Sequence, residues 1–562
     1  MTLLSNEQKI KLKQLFDNQK FSELELEIEL ISDFKTRSAF LANLLGVAKL
    51  KKVSKSNKDW NDARDLFFDA HEKDPDYIDA LCNYAHVSVK LRDYDTALSK
   101  LQNFKKKGYN PKINEALARI YFFEGEINKE VELFKENQKN GDLNKTTASH
   151  LLTSMNYSSN FNQSDYLEYC KKIDQQFTIP KEKLNNLEKF NFEKKISIGF
   201  ISPDFKEHSI CYFLKATIDE LKKNSFEVVA FNIREPHELD EISKKLKNQF
   251  DKWIDLNHLN DLDAANEIRK KKINILVDIA GHFARNRFTI LKYKPAPVQV
   301  SWMGYVNTTG IAEIDYILAD PNLIKFSEEK MYSEKVLRLP EIWNSHMGVI
   351  EKIDVNEAPC QKNGFLTFGC FNNSSKISEN CINVWSKILD KIKDARLIIK
   401  ASSKDSEIAQ DIILKKFKDN KINENRITFE KHKLEKKDHL KMYHNIDISL
   451  DTFPYPGVTT SFESIWMGVP VLTKKGNNFV SRCGESINVN LGKEEFLATD
   501  NEDYLQKAIS FNKDKNIIIN LRSKLREIAK KSPLFDTEKF GSNFSDKMNE
   551  IWTEYKIQNN IK

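Results

Sequence analysis

The stretch of chain from residue 447 to residue 473 places polar side chains between a strand and a helix. Residues 447–450 predict a short buried strand, and the prolines and glycine at 454–457 stop strand and helix alike. A further strand is predicted from residue 471, which completes a β-loop-α-β unit. Ligands of open α/β sheets bind beyond the carboxyl ends of the strands. The loop in this unit is therefore a candidate ligand site.

Hydroxyl groups cluster where the helix of this unit is predicted to start. Thr460 and Glu463 have the spacing of a capping box, in which the hydroxyl accepts a first-turn N–H and the carboxylate reaches back to the cap. A helix N-terminus directs unpaired N–H groups and a positive dipole end at anions. Thr459, Thr460 and Ser461 are therefore candidate anion ligands, and a hydroxyl-rich cap that holds no ligand is the alternative.

Two histidines lie just beyond predicted strands. His208 follows the strand predicted at 196–201, and His282 follows the strand predicted at 273–278. Histidine is the side chain whose charge changes most readily near neutral pH, so each is a candidate for proton transfer or substrate binding. A surface or packed histidine is the alternative at both positions.

A lysine and an asparagine follow another predicted strand, at 365–369. Lys376 could neutralise a phosphate and the amide of Asn373 could hydrogen-bond it, whereas a solvated lysine at a helix start is the alternative. No predicted strand is followed by GxGxxG or GxxxxGK[ST], which argues against a dehydrogenase or a P-loop enzyme. Acidic pairs lie away from the strand ends, which argues against phosphates held by a metal ion.

Strand, loop and helix alternate from residue 196 onward. This alternation predicts a parallel α/β domain. The pattern loosens at 341–361 and then restarts, so two such domains are predicted in tandem, at 191–350 and 351–562, with a ligand cleft between them. A final helix at 537–555 is expected to cross back over one of the two domains.

Residues 1–190 contain almost no strand signal and repeat instead. Ala63, Ala97 and Val131 stand at equivalent points of segments 34 residues apart. This is the period of tetratricopeptide repeats, in which each copy is a pair of antiparallel helices. The region is therefore predicted to be a helical repeat array that can bind an extended peptide, and an ordinary helical domain is the alternative.

The composition is typical of a globular protein without membrane spans. The chain has 562 residues, of which 40% are hydrophobic and 30% are charged. No apolar run reaches about 18 residues and no signal-peptide pattern is present, so a cytoplasmic location is expected. The seven cysteines lack metal-ligand spacing, which argues against structural zinc and against a disulfide framework. The net charge of +6 is too diffuse for nucleic-acid binding.

Six motifs occur in a fixed order after the helical repeats: SPDFKEHS, DIAGH, PAPVQVSWMGYVNTTG, FGCFNNSSKIS, DISLDTFPYPGVTTSFES and MGVPVLT. Together they resemble the O-linked N-acetylglucosamine transferase and SPINDLY family of protein glycosyltransferases. The resemblance extends over residues 196–535. It implies an α + α/β architecture, in which tetratricopeptide-like α-helical repeats precede a two-domain Rossmann-like transferase of the GT-B type.

The resemblance also assigns roles to the candidate catalytic residues. Lys376 is similar to the family's diphosphate-binding lysine, and Thr459 with Thr460 is similar to its phosphate-binding pair, in agreement with the anion site. His208 matches an active-site histidine near the sugar and the acceptor. His282 is a further candidate for the sugar or acceptor site.

The nucleotide is expected to contact side chains of the second domain. His439 matches a histidine that lies against the base, Lys436 matches a nearby lysine once one inserted residue is allowed for, and Asn373 is counted with them. Glu463 stands where the N-acetylglucosamine transferases commonly have a ribose-binding aspartate and where SPINDLY-type sequences have glutamate. Val458 replaces a histidine of the former group. SPINDLY-type proteins can use GDP-fucose, so these two positions leave the donor open.

The predicted function is transfer of N-acetylglucosamine from UDP-N-acetylglucosamine to Ser and Thr hydroxyls of proteins, with inversion at the anomeric carbon. The resemblance implies a nucleotide sugar as co-substrate, with no cofactor and no metal. It also implies protein or peptide acceptors that bind the repeats and the cleft. Whether the chain forms a homo-oligomer is left open. The alternatives are an O-fucosyltransferase that uses GDP-fucose, an N-glucosyltransferase that uses UDP-glucose, and a non-catalytic repeat scaffold.

Overall fold

The computed structural model describes residues 4–33, 36–51, 57–91, 93–180, 195–349, 351–400, 407–431, 433 and 435–561. The chain divides into two compact units, Met1–Thr147 and Ala148–Lys562. The domain boundary predicted at residue 190 falls in the segment 181–194, which lies outside the described residues. Among the described helices, none combines the length and the apolar character that crossing a bilayer requires.

The first unit is helical. Its helices are α1 (Asn6–Asp17), α2 (Phe21–Ile31), α3 (Ala39–Lys51), α4 (Asn57–Lys73), α5 (Ile78–Leu91), α6 (Asp95–Lys105), α7 (Pro111–Glu124) and α8 (Ile127–Lys139). Ala63, Ala97 and Val131 lie in α4, α6 and α8, and each has an exposed fraction of 0%. The 34-residue period therefore corresponds to successive helix pairs whose equivalent small apolar residues fill the interior.

The second unit begins in α9 (Lys145–Met155), continues through α10 (Gln163–Gln176) and then forms a parallel sheet, the centre of what we call the first Rossmann domain. The elements of this domain are β1 (Ser197–Ser202), α11 (Cys211–Lys223), β2 (Glu227–Asn232), α12 (Glu241–Gln249), β3 (Lys252–Asp255), α13 (Asp261–Lys270), β4 (Ile275–Asp278), α14 (Phe288–Lys292), β5 (Val298–Ser301), β6 (Tyr316–Ala319) and β7 (Lys335–Arg338). The strand order is β3-β2-β1-β4-β5-β6-β7.

A second parallel sheet, with the order β10-β9-β8-β11-β12-β13, forms the second Rossmann domain. Its elements are α15 (Pro359–Asn363), β8 (Thr367–Cys370), α16 (Glu379–Lys391), β9 (Arg396–Lys400), α17 (Glu407–Asp419), β10 (Ile427–Glu430), α18 (Lys436–Lys441), β11 (Ile448–Leu450), α19 (Thr459–Trp466), β12 (Val471–Lys474), α20 (Cys483–Leu491) and β13 (Leu497–Ala498). The chain ends with α21 (Asn501–Lys513), α22 (Asn516–Arg522), α23 (Leu525–Lys530) and α24 (Thr537–Gln558).

The strands predicted from apolar runs are all present, because the central strands of a parallel sheet are buried on both faces. The strands β1, β4, β5, β6 and β8 are buried along their whole length. Sequence reasoning missed β3, β7 and β13. The strands β3 and β7 lie at the two edges of the first sheet, begin with an exposed lysine and are only partly buried, so no continuous apolar run marks them.

Helix α24 returns to the first Rossmann domain, a choice that the sequence left open. The ring of Phe544 lies 4.8 Å from that of Trp302, at the end of β5, and the ring of Phe540 lies 6.0 Å from it. One hydrophobic core contains residues of both sheets and of this helix. A bidentate contact between Arg482 and Glu328, with an Nη2–Oε1 distance of 2.8 Å, also joins the two Rossmann domains.

Candidate active site

A buried carboxylate organises the loop between β11 and α19. Asp451 follows the last residue of β11 and has an exposed fraction of 2%. Its Oδ1 accepts hydrogen bonds from the amides of Gly457 at 2.7 Å and Thr452 at 3.0 Å, and from Nδ2 of Asn372 at 3.0 Å. Its Oδ2 accepts the hydroxyl of Thr473 at 2.7 Å. Burial raises the pKa of Asp451, and these donors oppose that shift by stabilising the ionised form.

Helix α19 starts at Thr459, but the predicted capping box is wrong. The N-cap residue is Val458, which makes no side-chain capping bond. The hydroxyl of Thr460 donates instead to the side-chain oxygen of Asn372, whose amide nitrogen is already held by Asp451. The N-cap residue therefore supplies no side-chain acceptor to the first turn of α19, and the positive end of the helix faces the loop without the hydroxyl that the sequence assigned to it.

Lys376 reaches the same loop from the end of β8. It closes a single 3-10 turn, Ser374–Lys376, and its Nζ donates to the carbonyl oxygen of Pro456 at 2.8 Å. The same ammonium lies 3.9 Å from the centroid of the Tyr455 ring. Burial lowers the pKa of Lys376 to about 8, although the charge of Asp451 opposes the shift. A lysine cation and a helix N-terminus thus flank one loop.

The neighbouring asparagines have different positions. Asn373, the predicted ligand, is exposed, and its side chain accepts the amide of Ser375 at 3.3 Å, which caps the 3-10 turn. Asn372 is buried and connects Asp451 with Thr460. Sequence reasoning therefore missed Asn372 as a site residue. Its position one residue closer than Asn373 to the end of the apolar strand β8 was the signal that favoured it over its exposed neighbour.

Three predicted nucleotide ligands lie together beside α19. The carboxylate of Glu463 accepts Nζ of Lys436, and its Oε2 lies 3.0 Å from Nε2 of His439. The hydroxyl of Tyr443 lies 3.5 Å from the same oxygen. Burial would raise the pKa of Glu463, but the bond from His439 and the charge of Lys436 hold it well below its usual value. The cluster therefore contains a buried, ionised carboxylate between basic side chains.

His208 lies in the loop between β1 and α11 and is part-buried. Burial lowers the pKa of His208, and the carboxylate of Asp204 opposes the shift. Asp204 itself pairs with Arg234 at 3.1 Å. The imidazole is therefore neutral at neutral pH, the form that can accept a proton.

His282 lies in the interior, with an exposed fraction of 1%. Its Nε2 lies 2.7 Å from the carbonyl oxygen of Thr309, and its Nδ1 lies 3.1 Å from the hydroxyl of Ser149 in α9. A carbonyl oxygen only accepts, so Nε2 carries the hydrogen and Nδ1 accepts from the serine. Burial lowers the pKa of His282 to about 4. Both ring nitrogens thus have protein partners, and its assignment to a sugar or acceptor site stays a prediction.

Gly457 offers a test of how tightly the loop is packed. A Cβ atom at this position would lie within 2.7 Å of the Thr460 hydroxyl, the Asn372 side-chain oxygen and the Ser461 hydroxyl. We expect Gly457→Ala to lower the free energy of unfolding by about 1–3 kcal/mol and to weaken nucleotide binding, because the loop must move away from α19. Denaturant titration and calorimetry measure the two effects.

Gly492→Ala is the matched control for this substitution. Gly492 has a φ of +68° and open space at its Cβ, so alanine there strains the backbone without touching the loop. The control should lose stability and keep nucleotide affinity. Wild-type affinity in Gly457→Ala would show that the close contacts at the loop do not matter for binding.

Comparison with proteins of known sequence gives relatives among named glycosyltransferases. The chain is 33% identical, over 365 residues, to a tomato (Solanum lycopersicum) protein named probable UDP-N-acetylglucosamine–peptide N-acetylglucosaminyltransferase SPINDLY, with 65% of this chain and 39% of that protein covered. It is 25% identical to the Arabidopsis thaliana protein of the same description named SEC, with 64% of this chain and 37% of that protein covered. The chain thus spans about two-fifths of the length of these curated relatives.

A solved structure supports the fold over nearly the whole chain. The O-GlcNAc transferase of Thermobaculum terrenum, in a mutant form, superposes with a TM-score of 0.74 and covers 98% of this chain and 99% of its own. Its sequence is 22% identical, so this similarity establishes the fold: helical repeats followed by two Rossmann-like domains of the GT-B type.

The family follows from a match of the sequence to a family model. The model described as glycosyl transferase family 41 matches residues 143–352 and 360–544, which is more than half of the chain. The matched segments contain β8, α18, β11 and α19, the elements that carry or flank the loop, Lys376, Lys436, His439 and Glu463. The chain belongs to glycosyltransferase family 41.

Proposed function

We propose that the protein transfers N-acetylglucosamine from UDP-N-acetylglucosamine to Ser and Thr hydroxyls of proteins. The observation that carries the proposal is the loop organised by Asp451, which lies between the Lys376 ammonium and the start of α19. A cation and a helix N-terminus at one place suit a diphosphate. The paired Lys436 and Glu463 beside them suit a nucleotide. The names of the relatives support the same donor.

The reaction needs one displacement. The acceptor hydroxyl oxygen forms a bond to the anomeric carbon while the bond from that carbon to the diphosphate oxygen breaks, and the acceptor proton passes to a base, for which the neutral imidazole of His208 is the candidate. Negative charge grows on the departing diphosphate. Lys376 and the positive end of α19 would stabilise that charge, since preorganised groups act most strongly where charge develops.

We also propose that the reaction requires no metal ion, because Lys376 and the helix terminus supply the positive charge. Protein acceptors are proposed to bind near His208, with the helical repeats as a further contact. All seven cysteines are free thiols, which suits the proposed cytoplasmic location.

A second donor, GDP-fucose, is favoured by one observation. Glu463 is one methylene longer than the aspartate expected for UDP-N-acetylglucosamine enzymes, and its carboxylate is already held by Lys436 and His439. The donor base therefore has to be measured.

Thermal stabilisation by UDP, UDP-N-acetylglucosamine, GDP and GDP-fucose, with and without chelator, tests the proposal. A donor at a hundredfold excess over its Kd should add about 2.7 kcal/mol to the free energy of unfolding. A shift with the uridine pair alone supports the proposal, and a shift with the guanosine pair alone makes the protein a fucosyltransferase. No shift with any of the four would favour the non-catalytic scaffold.

His208→Ala is expected to lower kcat by about a hundredfold, the lower end of the contribution of a positioned proton acceptor. Nucleotide binding should change little, because the substitution leaves Lys436, His439 and Glu463 untouched. We call these three residues the nucleotide cluster. Single-turnover kinetics and calorimetry separate the two. His258→Ala, at an exposed position, is the matched control. A normal kcat in His208→Ala would exclude both a basic and a sugar-positioning role.

Donor affinity is expected to fall as the pH rises above about 8, the pKa of Lys376 in the free protein. Below that pH the ammonium is charged and ready to pair with the diphosphate. Above it, binding must take up a proton, so Kd should rise by up to about tenfold per pH unit. Calorimetry between about pH 6.5 and 9 measures the donor Kd, and the same series with Lys376→Met corrects for titration of the nucleotide's own base. Parallel curves for the two proteins would contradict the assignment.

A further inference from the structure

Tyr212 brings the first Rossmann domain into contact with the nucleotide cluster of the second. It lies in the first turn of α11, four residues after His208. The Lys436 ammonium lies 4.8 Å from the centroid of the Tyr212 ring, a distance at which a cation is attracted to the π face. The same ammonium bonds the carboxylate of Glu463. Lys436 therefore has one partner in each Rossmann domain.

A column of three nearly parallel rings runs beside this contact. The rings of Tyr212 and His346 are 5.2 Å apart with an interplanar angle of 21°, and those of His346 and Phe462 are 5.7 Å apart with an angle of 22°. Phe462 directly precedes Glu463 in α19. Tyr212 is thus connected to α19 in two ways. The ring column ends at Phe462, next to Glu463, and the Lys436 ammonium contacts both Tyr212 and Glu463.

The position of the Tyr212 ring does not depend on Lys436. The backbone carbonyl of Tyr212 accepts the amide of Met347 at 3.0 Å. The amide of His346, whose ring stacks on Tyr212, donates to the carbonyl of Leu534 at 2.8 Å. His346 is buried, with an exposed fraction of 2%. The ring is therefore a fixed surface against which the flexible lysine side chain rests.

We propose that Tyr212 is a positioning residue for the donor nucleotide. Its ring holds the Lys436 ammonium against Glu463, so the pair is preorganised before the nucleotide arrives. Because Tyr212 lies on the helix that follows the His208 loop, it also sets the distance between that loop and the nucleotide cluster. The inference rests on the proposed function, since it takes Lys436 and Glu463 to contact the nucleotide.

Two substitutions in the full chain separate the ring from the hydroxyl. Tyr212→Leu should weaken binding of UDP or GDP, whichever stabilises the wild type, by roughly fivefold to thirtyfold, and should raise the donor KM more than it lowers kcat. Tyr212→Phe keeps the ring and should remain within about twofold of wild type. Calorimetry, steady-state kinetics and thermal denaturation of each variant give the three readouts.

A double-mutant cycle with Lys436→Met tests the contact itself. If the ring acts through the ammonium, Tyr212→Leu should have little further effect on nucleotide affinity once Lys436 is replaced. Independent effects in the cycle, wild-type affinity in Tyr212→Leu, or equal losses in the Leu and Phe variants would each overturn the inference. A wild-type protein that bound none of the four nucleotides would overturn the proposed function. A wild-type protein that binds nucleotide, with variants that do not behave as stated, would overturn only the inference about Tyr212.

Discussion

Lys376→Ala is expected to lower kcat/KM for transfer by about a hundredfold to a thousandfold, which corresponds to about 3–4 kcal/mol in the activation barrier. The lysine side chain faces the loop in front of α19, where the diphosphate is proposed to bind. The loss should fall on both the donor KM and kcat, because the ammonium pairs with the bound diphosphate and the charge on the diphosphate grows further as the bond to the sugar breaks.

The same substitution should leave stability nearly unchanged. Burial lowers the pKa of Lys376 to about 8, which means that the fold disfavours the charged form. Removing the ammonium therefore costs folding little, a pattern expected where a binding site keeps a group for function. Initial rates and thermal denaturation of the purified variant measure both effects.

Lys393→Ala is the control, since Lys393 is exposed and pairs only with the surface residue Asp390 among the contacts seen, at 2.7 Å. It should behave as wild type in both assays. Lys376→Arg is expected to recover little activity, because the larger planar guanidinium does not occupy the space of a compact ammonium between the Tyr455 ring and the Pro456 carbonyl oxygen. Unchanged turnover in Lys376→Ala would exclude Lys376 from the reaction.

Asp451→Ala is expected to lower the free energy of unfolding by about 3 kcal/mol and to abolish measurable nucleotide binding. The carboxylate accepts the amides of Thr452 and Gly457, the side-chain nitrogen of Asn372 and the Thr473 hydroxyl, so alanine leaves four buried donors without this acceptor. The loop should then lose the conformation that places it in front of α19. Denaturant unfolding and calorimetry measure the two losses.

Asp447→Ala is a matched control on the same strand. Asp447 precedes β11 at its amino end, is fully buried and accepts the amides of Cys360 and Thr367 at 2.9 and 2.8 Å. It should lose comparable stability while the folded protein still binds nucleotide. Asp451→Asn should be milder than Asp451→Ala, because the Thr473 hydroxyl can turn to accept from an amide. Wild-type nucleotide affinity in Asp451→Ala would contradict the role given to this carboxylate.

The strands and the repeat could be predicted from the sequence because their signals are local. A strand buried on both faces needs consecutive apolar residues, and a helix pair stacked on its neighbour needs a small residue at each period, as at Ala63 and Ala97. The edge strands β3 and β7 could not be predicted in this way, because an edge strand is partly exposed to solvent and tolerates lysine at an exposed position.

The candidate site was only partly predictable. Lys376 and Thr460 could be named from residue type and their place after a strand, and the structure places both against one loop. The partners could not be named. Asn372 rather than Asn373 reaches the loop, because the pleat and the turn decide which of two adjacent side chains points inward.

The sequence by itself therefore determined the order of elements, the family motifs and the residue types available to bind a diphosphate. Only the tertiary structure decided which groups meet. The predicted capping box does not form because the Glu463 carboxylate pairs with Lys436, which is distant in sequence. An ionised carboxylate is stabilised far more by a buried cation than by a helix amide. Tyr212 and Asp451 stand in the site for the same reason: their partners come from other strands and helices, and no local pattern records a contact between segments far apart in the chain.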